Sequence, residues 1–114
     1  MTTVDTDAIN RRMAELQGYK YLKGIVGPDW FWFDRNQTKA HTFPPDYCHD
    51  PALTMPLMEA EQYMHIDRMA DEDGQWFVAL DVTSERSHYG HGPTILIAYC
   101  LAFIARADAG EKQG

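Results

Sequence analysis

Residues 76–107 read WFVALDVTSERSHYGHGPTILIAYCLAFIARA, and this stretch decides the fold class. Its first part alternates. Trp76, Val78, Leu80 and Val82 fall on one face of an extended chain, the period-two signature of a strand. Its last part changes character. From Pro93 to about Ala107 the chain is apolar almost all round, which predicts the most buried helix of the molecule. Pro93 suits the first helical position, and Arg106 suits the negative end of the dipole. Between them, Thr83 to Gly92 is polar and reads as a loop. A strand and an all-round apolar helix in one short chain call for a layered α+β body.

Working outward, Ala70 to Gln75 is a polar turn with an Asp73-Gly74 pair, a hairpin signal that joins the 76–82 strand to a short strand at His65 to Met69. A second hairpin lies upstream. Trp30-Phe31-Trp32-Phe33 is closed by the polar residues 34–37 and followed by Lys39 to Phe43. Alternation sends Trp30 and Trp32 to one face and Phe31 and Phe33 to the other. Such a strand is covered on both sides, or it presents one face to a ligand or partner. Pro44-Pro45 ends this hairpin, and residues 46–51 form a turn-rich loop. Asp50 can cap a helix with Pro51 in its first turn. Leu53, Leu57, Met58, Tyr63 and Met64 carry that helix to about His65. Pro56 either kinks it or moves its true start to near Thr54. At the front, Ile9, Met13 and Leu16 place one apolar stripe on a helix over 6–17, capped by Thr6 or Asp7 and ended by Gly18. Arg11, Arg12 and Glu15 face away from the stripe. Tyr19 to Pro28 reads as a connector. The element order is therefore α-β-β-α-β-β-α, a four-stranded antiparallel sheet from two hairpins with three helices. It forms a single domain over 6–109, with loose ends at 1–5 and 110–114.

The charge balance narrows the function classes. Ten basic and 17 acidic residues among 114 give a net charge of −7, and the pI is near 5.0. A protein that grips a nucleic-acid duplex by its backbone carries a basic face, so duplex binding is disfavoured. The longest apolar run, Ile95 to Ala105, is shorter than the roughly 20 residues a membrane span needs. The polar start lacks the apolar core of a secretory signal. Cys48 and Cys100 are the only cysteines and read as free thiols. A cytoplasmic location is expected.

Three stretches carry a resemblance to a known family. They are Trp30 with the following aromatics and Asp34, residues 45–59 (PDYCHDPALTMPLME), and residues 93–104 (PTILIAYCLAFI). Together with QWFVALDV at 75–82, this combination resembles the phage ABA (α-β-α) sandwich domain of small phage and prophage proteins. The likeness covers most of residues 8–107 and rests on packing motifs. It implies an α-β-α fold and a phage or prophage origin. It brings no catalytic or ligand residues, and a fold alone does not give a function.

The chemistry-bearing residues point to binding more than to reaction. His41, His49, His65, His88 and His91 match no zinc spacing, so no metal is expected. Cys48, Ser84 and Ser87 lack the context of an activated nucleophile. The acidic residues Asp67, Asp71, Glu72, Asp73, Asp81 and Glu85 read as a solvated turn. The loop before the last helix is the best candidate site. Arg86, Ser87, His88, Tyr89, His91 and Thr94 precede a helix start, whose unpaired N–H groups favour anions. Tyr89 could stack on a base. The plain alternative is an exposed polar loop. Trp30 and Trp32 could add a stacking surface, although aromatics in a small domain go first to the core.

These features lead to the expectation of a non-catalytic phage accessory protein, without cofactor, in the host cytoplasm. It binds a small host molecule, best an anionic nucleotide signal, as a counter-defence sponge. One alternative is an interaction module that docks a host or phage protein through the Trp30–Phe33 hairpin. Another is a small hydrolase using His88 or His91. A homo-oligomer is compatible with all three, because a short sheet leaves edges to cover.

Overall fold

A computed structural model describes residues 4–24, 27–36, 39–68, 75–81 and 87–113. The fold is α+β, with three helices, but the strands form two three-stranded antiparallel sheets instead of one four-stranded sheet. Each hairpin has recruited one further strand that the sequence reading assigned to a connector or a loop.

Helix α1 spans Thr6–Leu16 and buries Ile9, Asn10, Met13 and Ala14. Its cap is Asp5, one residue earlier than expected, whose carboxylate accepts the Ala8 N–H at 3.1 Å. Residues 4 and 5 are thus part of the fold, and Val4 packs against the core. Gly18 ends the helix with φ +95°, a conformation that favours glycine. Arg12 does not face solvent alone, since it reaches Asp108 at 2.7 Å.

The first sheet follows. Strands β1 (Lys20–Lys23), β2 (Trp30–Phe33) and β3 (Ala40–His41) pair so that Tyr21, Trp32 and His41 lie abreast. The expected connector over 19–28 therefore contains a strand. The central WFWF backbone has donors and acceptors on both edges, and KYLK supplies the second set. This sheet joins the body through Trp32, which is 5% exposed within the core, while Trp30 is 51% exposed.

Helix α2 spans Pro51–Glu59, with Asp50 accepting the Ala52 N–H at 3.0 Å. It starts at Pro51, not near Thr54, and Pro56 lies inside it. It stops six residues before His65, and Tyr63, just ahead of the next strand, has its carbonyl accepting the Asp81 N–H at 3.0 Å. Strands β4 (Met64–Arg68), β5 (Trp76–Leu80) and β6 (His88–Gly92) make the second sheet. The Asp73-Gly74 turn and Val82 lie outside the described residues.

Strand β6 is the main departure from the expected 83–92 loop. Its glycines are a packing requirement. A side chain at Gly90 would overlap the Ala98 carbonyl and the Ala102 nitrogen, and one at Gly92 would come within 2.7 Å of Ile97 Cγ2. Helix α3 (Ile95–Gln113) lies directly on this strand. It begins two residues after Pro93 and continues well past Ala107, through the tail expected to be loose. One side of α3 places Ile97 and Cys100 in a core with α1, Trp32, Tyr47 and Cys48. The other places Ala98, Tyr99 and Ala102 against Val78, Leu80 and Met58. The helix is thus the shared centre of two cores, which accounts for its nearly uniform apolarity. Among the described residues no helix is long and apolar enough to cross a membrane.

Candidate functional site

The register of the second sheet sorts its side chains onto two faces. Met64, Val78, Leu80 and Trp76 share the face under α3 with His88, Gly90 and Gly92. His65, Asp67, Phe77, Ala79, Tyr89 and His91 share the other. That second face is open. Tyr89 is 54% exposed, and His65, Asp67 and His91 are exposed beside it.

Its rings form a row. Phe77 lies 5.5 Å from Tyr89 and 6.2 Å from His91, with interplanar angles of 29° and 22°, inside the range for stacked rings. Beside the row lies an open depression of about 630 Å³. Phe77, Ala79, Tyr89, Met64, Tyr63 and His65 line it, with Ser87 and Gln62 adding polar groups. The site offers flat apolar surface for a ring together with hydroxyl, amide and imidazole groups that can hydrogen-bond a ligand.

The expected site residues end in several places. Ser87 and Tyr89 line the depression and His91 extends its ring row. His88 points to the opposite face, so His88 and His91 do not share one site. Thr94 is occupied as a helix cap, its hydroxyl accepting the Ile97 N–H at 3.2 Å. The helix start therefore has one free donor fewer for an anion than a bare end would. Trp30 and Trp32 belong to the other sheet, and Arg86 lies outside the described residues. Phe77, His65, Tyr63 and Gln62 were missed. Phe77 was within reach of the sequence, because alternation in 76–80 puts it opposite Trp76 and Val78. His65, Tyr63 and Gln62 come to the site only through the pairing of β4 with β5, and β6 brings Tyr89 and His91 alongside Phe77.

A second polar group joins α1 to the 44–50 loop. The buried Asn10 amide donates to Asp46 Oδ1 at 2.9 Å, and its oxygen accepts the Cys48 N–H at 3.0 Å. His49 Nδ1 lies 2.9 Å from the same carboxylate. Desolvation raises the Asp46 pKa, but the hydrogen bonds from Asn10 and His49 outweigh it and hold the carboxyl below its ordinary value. Cys48, expected in a polar turn, is 1% exposed and free, and Cys100 is likewise buried and free. Burial pushes the Tyr47 phenol up to about 12, with smaller contributions from Tyr19 and Cys100. Tyr47's carbonyl accepts the Thr54 hydroxyl at 2.6 Å. These contacts fix the loop. Among the described residues no group of three or more His, Cys, Asp or Glu side chains is placed to hold a metal ion.

No protein-family model matches the chain, and neither a curated protein nor a solved structure matches it.

Proposed function

We propose that the chain is a non-catalytic binding protein whose ligand, an anionic nucleotide, occupies the depression on the open face of the second sheet. One observation carries this reading: the uncovered row Tyr89–Phe77–His91 borders a depression of about 630 Å³, a volume typical of small-molecule sites. A base laid on Tyr89 continues the existing stack. Ser87, Gln62 and His65 then hydrogen-bond the sugar and phosphate. Such a protein needs no reacting group. If its origin is phage, as the family resemblance implies, it acts in the host cytoplasm as a sponge for a nucleotide signal.

Calorimetric titration against cyclic and ADP-ribose-type nucleotides tests this. The expected result is heat and a raised melting temperature with at least one of them, lost in Tyr89→Ala while the circular dichroism is unchanged. No heat and no thermal shift across the panel overturns the proposal.

A further inference from the structure

The first sheet carries a second surface of different character. Lys23 and Trp30 are cross-strand partners and share a face with Tyr21 and Trp32. The Tyr21 and Trp30 rings stack at 5.7 Å and 29°. Both are half-exposed, and Phe43 beyond β3 is 76% exposed. Cations line the margins of this aromatic strip. Lys23 lies on edge strand β1 on the same face, and Lys39 immediately precedes edge strand β3, whereas Lys20, paired with Phe33, lies on the opposite face. None of the three lysines forms an ion pair among the described residues.

The local charge opposes that of the whole molecule. Between residues 18 and 43, Lys20, Lys23, Arg35 and Lys39 stand against Asp29 and Asp34, a surplus of two positive charges in a chain whose net charge is −7. The surface therefore favours a partner that is negative and has flat apolar groups at short intervals. A stacked indole and phenol between flexible cations meet those demands for unpaired bases on a phosphate strand. A duplex keeps its bases stacked internally and leaves the rings unused. A lipid surface is met best by rings at a protruding tip, whereas Tyr21 and Trp30 lie within strands on a sheet face.

We infer that the first sheet binds single-stranded nucleic acid, with Trp30 and Tyr21 stacking on bases and Lys23 and Lys39 contacting phosphates. This site is independent of the depression on the second sheet.

Fluorescence anisotropy of a fluorescein-labelled oligothymidylate, titrated with the full chain at low salt, tests it. Anisotropy is expected to rise, with weaker binding to the corresponding duplex. Two phosphate contacts give a slope of about −1.4 for log affinity against log salt. Trp30→Ala should weaken binding roughly tenfold, as loss of one stacked base implies. Lys23→Glu should weaken it too, and Tyr89→Ala should leave it unchanged. Trp30 and Lys23 are exposed enough for both variants to fold, and Lys23→Glu carries the test alone if Trp30→Ala does not. Three results overturn the inference. They are no anisotropy change, binding only to vesicles containing phosphatidylglycerol, and Trp30-dependent self-association in sedimentation without oligonucleotide binding.

Discussion

At the scale of single residues, Gly90 shows how one missing side chain sets an interface. Helix α3 approaches β6 so closely that a methyl group at residue 90 would overlap helix backbone, which cannot move aside as a side chain can. Gly90→Ala is therefore expected to cost about 3 kcal/mol, the upper part of the overpacking range, read as a lowered midpoint in urea denaturation. A midpoint within error of wild type would mean that the helix does not sit on this strand. The same residues explain why the sequence misled. In HYGHG, two glycines signal a loop when nothing is known of a neighbour. They signal close approach once a helix lies above them. His88 and His91 illustrate a related point. They are near in sequence, but strand alternation separates them to opposite faces.

At the scale of elements, the helices were more legible than the sheets. The α1 stripe, its Gly18 stop and the Asp50-Pro51 start of α2 are local signals, and each is found in the structure. Strand partners are not local. Residues 20–23 (KYLK) become a strand only because WFWF has an edge to fill, and no residue within KYLK announces it. The attachment of that sheet depends on few side chains, which makes it testable. Trp32→Ala removes a nearly buried indole from the core and is expected to destabilise the protein by about 3–5 kcal/mol. Trp30→Ala, on the same face and half-exposed, should cost under about 1 kcal/mol. Equal effects of the two substitutions in chemical denaturation would contradict this attachment.

At the scale of the whole molecule, the outline is elongated. The radius of gyration is 15.5 Å and the extents are 50 × 34 × 24 Å, against about 13 Å for a compact chain of this length. Long-range ties then matter more. Arg106 grips Glu61 with two bonds of 2.7 and 2.8 Å and reaches Asp81 at 3.1 Å, while Tyr99 donates to Glu61 at 2.7 Å. Hydrogen bonding to Glu61 raises the Arg106 pKa further, outweighing desolvation, so it stays charged throughout the accessible range. This network fastens the end of α2 and the end of β5 to α3. Arg106→Met leaves the Glu61 carboxylate, 7% exposed, without its cation, and is expected to cost about 3 kcal/mol. Replacing Glu61 by Met as well should recover part of that loss. Full additivity of the two substitutions would show that the pair does not act as one unit.

The sequence by itself determined the α+β class, the Gly18 stop of α1, the Asp50 cap of α2 and the single helix that is apolar on nearly every side, because propensity, capping and periodicity act over a few residues. Only the tertiary structure decided that the strands divide into two sheets, that a glycine-containing polar stretch is a strand, and which aromatic rings stay uncovered. Those outcomes depend on backbone hydrogen-bond partners and on the approach of α3, which are set by segments far apart in the chain.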